Sequence, residues 1–328
     1  MVKYVIKRIL LALLILLFVS LILYFLIRMM PVDFIEDRFN SSGQLPPEEL
    51  DRLYALYGLD DNSFLGILKG YWKWLTNFLK GDMGNSFIYT DPVSKVISDR
   101  MGISFGISFV SLILEVLIAV PIGIKCAVNQ YGKFDYTMTF LCMVGIAFPS
   151  FFLGNLLIKW LAVDLGWFDP MGGLNTIGLT GNWFVMLGDT LWHLVLPIFV
   201  MVVLNIGSLM RYQRTNTLEV LNADYIRTAR AKGLSEGTVV YKHVFRNTLI
   251  PLITTLAFTL PTLFGGAMIT ETVFDIPGIG NATYKALREG DIPLAMGYNM
   301  FIAILTVIGT LLADIMYAVV DPRVKLGK

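Results

Sequence analysis

Charge is scarce in this chain: Asp, Glu, Lys and Arg make up 16% of its 328 residues, while 55% are hydrophobic. That balance excludes an ordinary soluble domain and is the composition of a polytopic membrane protein. A net charge of +1 gives no general electrostatic pull on nucleic acid. Cysteine is nearly absent. Cys126 and Cys142 lie in or beside apolar runs without metal-type spacing, so both read as inert thiols and a disulfide scaffold is excluded by count. Histidine is limited to His193 and His243. Intramembrane proteolysis would need a serine paired with a histidine on a facing helix. His193, beside Trp192 at a helix end, reads instead as an interfacial residue, and His243 lies in a basic loop, solvated or packed on a partner. No Gly-Lys pair is followed by Ser or Thr, so the loop that cradles nucleotide phosphates is missing and the chain does not hydrolyse ATP by itself. PGIG at 277–280 lacks a strand-to-helix context and reads as a turn.

What the chain has in abundance is apolar runs of spanning length. Six candidate helices fall at roughly 9–30, 103–125, 136–158, 191–210, 249–270 and 294–320. In lipid each backbone polar group must bond within its own segment, so such runs are helices. Pro121, Pro149, Pro197 and Pro261 fall inside them and imply kinks. The first run follows Lys3, Lys7 and Arg8 and is too long for a cleaved leader, with no small-residue cleavage site after it. With the N-terminus inside, the inner segments carry 15 positive charges against five acids, which predicts that both termini are cytoplasmic.

The outer segment 31–102 is long and mixed. LPPEELDRLYALYGLD reads as a short helix opened by Pro46 and Pro47. Further on, Ile67, Tyr71, Trp74, Leu75, Phe78 and Leu79 share a helical face, either as an interfacial helix lying on the membrane or as part of a small packed cap. Two acids fall within spans. Glu115 either lines a path and meets a cationic group of the cargo, or bonds a neighbouring helix. Asp314, with Tyr317 and Asp321 on one face, reads as a tie between a helix end and its neighbours.

The most organised polar stretch is 219–251, EVLNADYIRTARAKGLSEGTVVYKHVFRNTLIP. Asn222 or Asp224 can cap a short helix, YIRTARAKG, and Gly233 is placed to end it in the left-handed conformation. Ser235 can cap a second helix that runs to Pro251, expected to open the fifth span. Ala229 and Ala231, flanked by Arg227, Arg230 and Lys232, make a compact helix suited to a groove. A basic helix resting on anionic lipid is the alternative, but lipid attraction needs neither the turn at Gly233 nor a rigid tie to the next span. Docking to a partner is the favoured reading.

These residues resemble the cytoplasmic Glu-Ala-Ala loop of permease subunits in binding-protein-dependent ABC importers, and DYIRTARAKGLSE is similar to the version of the peptide/nickel branch. Arg227-Thr228-Ala229 stands at the Glu-Ala-Ala position, a departure from the general consensus, and Gly233 is in place. YGLD at 57–60, WLTNFLKGDMGNS at 74–86, ETVFDIPGIG at 271–280 and DPR at 321–323 resemble the first of the two permeases of such importers, so the likeness covers nearly the whole chain. It implies an all-α type I importer permease: an N-terminal transmembrane helix at 1–30, an extracytoplasmic region at 31–102, and a five-helix core at 103–328 with its coupling loop at 211–250. The first span would pack against a second, homologous permease.

By the same resemblance Asp224, Tyr225, Arg227, Ala229, Arg230, Ala231, Lys232 and Gly233 form a coupling helix seated on a separate ATPase. Glu115 is the candidate for the translocation path. Two ATPase subunits or domains would bind the ATP and Mg, leaving this chain without cofactor, metal or catalytic residue. An extracytoplasmic binding protein would deliver peptide to the outer face of the cell membrane. Cargo of the nickel, opine or glutathione type is the alternative within that class. A stand-alone secondary transporter would usually show repeated broken helices and mid-membrane charge pairs. A membrane-embedded hydrolase would need more and better-placed histidines.

Overall fold

A computed structural model describes residues 2–29, 61, 63–170 and 172–320. Every regular element among them is a helix. The helix expected from Pro46 and the face of Asp314, Tyr317 and Asp321 lie outside the residues whose side chains are described. Five helices are long and apolar enough to cross a membrane, and a sixth span exists if one bent pair is counted as such. The chain divides into two compact units, one of residues 1–102 with 278–328 and one of residues 103–277.

In the first unit, α1 (Val2–Arg28) packs on α11 (Ile292–Val320) and on α2 (Phe64–Leu79). Ser63 caps α2 by accepting a bond from the Gly66 amide at 3.1 Å. One face of α2 is buried through Tyr71, whose hydroxyl lies 2.8 Å from the Ser20 hydroxyl and whose ring meets that of Tyr24 edge-on at 5.7 Å. The other side leaves Phe64, Leu65 and Trp72 exposed. The helix is therefore packed on α1 along one face and keeps an apolar outer face.

The motif at 81–86 has a structural purpose. Asp291, fully buried, caps α11 by accepting the Leu294 amide at 3.1 Å, while its other oxygen takes the Ser86 hydroxyl at 2.5 Å and the Ile88 amide at 3.1 Å. Helix α10 (Ile279–Glu289) packs against α11 and starts directly after Gly278. PGIG is thus a turn only in its first half. Ile279 and Gly280 already belong to a helix, because Ile279 is fully buried and anchors that first turn.

The second unit contains most of α3 (Val93–Val128), then α4 (Lys133–Ala147), α5 (Ser150–Asp164) and α6 (Trp183–Leu221). It continues with α7 (Asp224–Ala231), α8 (Glu236–Leu263) and α9 (Met268–Val273). The run expected as one span over 136–158 is not a single helix: α4 and α5 meet at 96°. Pro149 bars the α conformation at Phe148, whose ψ is 130°, and α5 restarts from there. The run over 249–270 also divides. Helix α8 ends at Leu263, and Gly266 takes a φ of +70° before α9 begins.

Helix α6 is the axis of this unit. Asn182 caps it by accepting the Val185 amide at 3.1 Å, and at 39 residues it extends about 58 Å. Glycines let neighbouring helices approach it closely. A Cβ at Gly123 would stand 2.7 Å from the Met210 carbonyl oxygen, and one at Gly207 would stand 2.9 Å from that of Cys142. The α4–α6 seam is closed by a two-pronged ion pair, with Arg214 Nε and Nη2 each donating to a different oxygen of Asp135 at 2.7 Å. Both cysteines are buried and free, Cys142 on α4 and Cys126 on α3.

Candidate functional site

The short helix α7 stands between α6 and α8 in the chain. Its start differs from expectation. Ala223, extended at φ −72° and ψ 147°, is the residue before its first turn, and no side chain caps it. Asn222 is used instead to end α6, donating to the Leu218 carbonyl at 3.0 Å, and Asp224 pairs with Arg227 at 3.5 Å inside the helix. Ile226 and Ala229, three residues apart, turn inward onto Val239 and Val244. Ala229 is 7% exposed and packs on its own chain, so it offers no surface to another protein. Asp224, Tyr225, Arg227, Arg230, Ala231, Lys232 and Gly233 are exposed together.

The exit from α7 is sharply defined. Gly233 has a φ of +78°, and its amide donates to the Arg230 carbonyl at 2.9 Å. Ser235 then caps α8, accepting the Thr238 amide at 3.4 Å. Across the turn, Arg230 Nε and Nη2 donate to the two oxygens of Glu236 at 2.8 and 3.3 Å. From Glu236 the chain is one helix to Leu263, with a π-helical stretch at Val239–Val244 that includes the half-buried His243. Pro251 was expected at the opening of this span. It lies well inside the helix, because the polar residues before it already wind as part of α8, and the Tyr212 hydroxyl of α6 donates to its carbonyl at 3.1 Å. Gln213, also on α6 and fully buried, donates to the Thr248 hydroxyl of α8 at 3.0 Å.

Above these ties α6 and α8 part, and with α3 they wall a cavity of about 570 Å³. Glu115 is half-buried in its lining and is the one carboxylate there, with no Lys, Arg or His beside it in that lining. The rest of the polar lining is hydroxyl and amide: Ser108 and Ser111 from α3, Asn205, Ser208 and Tyr212 from α6, Thr255, Thr259 and Thr262 from α8. Reading the sequence for charge misses these residues. Their signal is a polar stripe at helical spacing inside an apolar run: 108, 111 and 115 on α3, 205, 208 and 212 on α6, 255, 259 and 262 on α8.

His193 turns inward. Its side chain is 4% exposed, with Nδ1 2.9 Å from the Asp189 carbonyl oxygen and Nε2 3.8 Å from an oxygen of Asp169. Its neighbours are carboxylates and a carbonyl, and no serine hydroxyl lies against it among the described bonds. Its neighbour Trp192 is the exposed one of the two.

Residues 1–108 match the family described as binding-protein-dependent transport system membrane component, N-terminal part. Residues 119–326 match the binding-protein-dependent transport system inner membrane component. The chain belongs to this family. As a permease it is 37% identical over 326 residues to the oligopeptide transport system permease protein AppB of Bacillus subtilis (strain 168), covering 99% of this chain and 100% of that one. It is 31% identical over 326 residues to the oligopeptide transport system permease protein OppB of Haemophilus influenzae (strain Rd), with the same coverage. A chain of the inward-facing MetNI methionine ABC transporter superposes with a TM-score of 0.51 at 18% identity, over 70% of this permease and 97% of that chain. The all-helical permease fold is shared with it.

Proposed function

We propose that this permease is one of two homologous transmembrane subunits of an ATP-driven ABC importer that takes up peptides handed over by an extracytoplasmic binding protein. Two ATPase subunits or domains bind ATP and Mg and seat α7, and both termini of the permease are cytoplasmic. The observation that carries this reading is a connection: the two helices that α7 joins, α6 and α8, are two of the three that wall the Glu115 cavity. A push on α7 passes at the Gly233 turn into a helix of 28 residues, about 42 Å long, without a break before Leu263. A movement at the exposed end therefore changes the cavity, which is what an ATPase must accomplish to drive transport. Asp224, Tyr225, Arg227, Arg230, Ala231, Lys232 and Gly233 are the residues that meet the ATPase, and Ala229 holds α7 to the permease from within.

The cavity supports peptide as cargo. Hydroxyl and amide groups on three walls match a ligand of many backbone donors and acceptors, and Glu115 matches a free amino group. The test is reconstitution of the permease with its co-purifying subunits in vesicles, following ATP-dependent uptake of labelled di- to pentapeptides, nickel and glutathione. Peptide uptake that needs the binding protein is the expected result. In the same assay Glu115→Gln should slow cationic peptides about tenfold relative to N-acetylated ones, one lost charge contact in a poorly solvated site. Uptake without ATP, or of nickel alone, sinks the proposal.

A further inference from the structure

A second pocket lies between α4 and α6, away from the Glu115 cavity, and has a volume of about 250 Å³. Arg211 and Arg214 of α6 reach it from one side, Tyr131, Tyr136 and Thr139 from the other. Its single carboxylate, Asp135, is already engaged: both oxygens accept from Arg214, and the amide of Tyr131 donates to one of them at 3.0 Å. That last bond holds Tyr131 at a φ of +61°, a conformation a bulky residue seldom adopts. Arg211 is differently placed. Its Nε donates to the Gly207 carbonyl at 3.3 Å, and its two terminal amino groups have no hydrogen bond or ion pair among the described residues. With Asp135 and Arg214 cancelling and the Thr139 hydroxyl donating to Asp135 at 3.5 Å, the pocket keeps one net positive charge and two terminal guanidinium nitrogens, with Tyr131, Tyr136 and Thr215 in its lining.

The surroundings fix the kind of anion. Tyr131 and Tyr136 are 70% and 64% exposed, with Lys133 exposed between them, the aromatic and cationic mixture of a membrane–water boundary. Along the same face of α4, at steps of four residues from Tyr136, Phe140 and Val144 are exposed and apolar. A polar, cationic pocket thus continues directly into an apolar stripe. Free phosphate would use only the first part, whereas a phospholipid uses both. We propose that this pocket binds the phosphate headgroup of an anionic phospholipid, with Arg211 as its principal cationic contact and one acyl chain along Tyr136, Phe140 and Val144. Basic pockets between spanning helices are suited to such headgroups. The site is independent of the cargo and of the importer reading.

The test uses the full chain with whatever subunits co-purify, exchanged into mild detergent and titrated with phosphatidylglycerol or phosphatidylcholine, with bound lipid counted by native mass spectrometry. Wild-type protein should retain phosphatidylglycerol in preference to phosphatidylcholine. Arg211→Gln should weaken that retention about fivefold, the worth of one basic residue at a membrane surface, and Arg246→Gln, an exposed arginine elsewhere, should leave it unchanged. Because Arg211 makes only one backbone bond, the Gln variant should keep the wild-type melting temperature. Equal retention of the two lipids, or no change in Arg211→Gln, overturns the proposal. Displacement of phosphatidylglycerol by millimolar inorganic phosphate overturns it as well, since the site would then be one for free anions.

Discussion

The α7 helix and the seam between α4 and α6 keep their geometry by opposite means. The seam is shut by glycines that bring backbones together and by the Asp135–Arg214 pair, in which the carboxylate is 4% exposed. Helix α7 has two inward side chains, Ile226 and Ala229, and its ion pair to Glu236 lies in the open, with side chains 43% and 63% exposed. Its direction is set chiefly by backbone: the left-handed turn at Gly233 and the continuous helix beyond it. A segment that must keep its charges outward has little side-chain surface left for its own anchoring, so chain geometry does that work. In the seam, by contrast, Asp135 and Arg214 spend their charges on each other.

If this contrast holds, damage to the seam should show up as lost stability, and damage around α7 as lost coupling. Asp135→Ala strands the Arg214 guanidinium in the seam and should cost about 3 kcal/mol, the low end for a broken buried pair because Arg214 remains 23% exposed; thermal unfolding in detergent measures it. Gly123→Ala pushes a methyl against the Met210 carbonyl, and with backbone on the other side unable to yield it should cost about 1–3 kcal/mol in the same assay.

Gly233→Val meets open space, since nothing stands within 4 Å of the added Cβ, but it opposes the turn's φ by about 1–2 kcal/mol. Its melting temperature should fall no further than that of Gly123→Ala, while the ratio of transport to ATP hydrolysis falls as well. Gly233→Asn, which tolerates that φ better, should recover part of the ratio. A Gly233→Val complex that transports at the wild-type ratio would remove α7 from the coupling route. Smallest of all, a double-mutant cycle on Arg230→Gln and Glu236→Gln should return about 0.2–1 kcal/mol, as for other solvent-exposed pairs.

Much of this was legible in the residues, for identifiable reasons. A charged, glycine-punctuated helix is conspicuous among apolar runs, and Gly233 and Ser235 do at the turn what their chemistry dictates. Hydropathy could not show direction, so the 96° bend at Pro149 read as a kink within one span, and Gly265–Gly266 was absorbed into a run of which only the part to Leu263 is one helix. The inward turn of Ala229 was available from its spacing to Ile226, but a small residue among arginines reads as surface. Asp135 and Arg214 lie 79 positions apart, and nothing local in either stretch announces the partner. The cavity's hydroxyl stripes were present at helical spacing, yet serine and threonine bonding back to their own helices are common in spans, and only the meeting of three helices separates lining from filler.

The knot around Asp291 has a consequence for how the protein is made. Ser86 and Ile88 bond a carboxylate that lies 205 and 203 residues later in the chain. While the ribosome is still working through the second unit, that carboxylate does not exist, and the loop before α3 lacks the acceptor for its Ser86 hydroxyl and Ile88 amide. The N-terminal unit can close only after nearly all of the chain has been synthesised and inserted. A product truncated before Asp291 would lack the tie between that loop and α11, however well its middle helices had assembled.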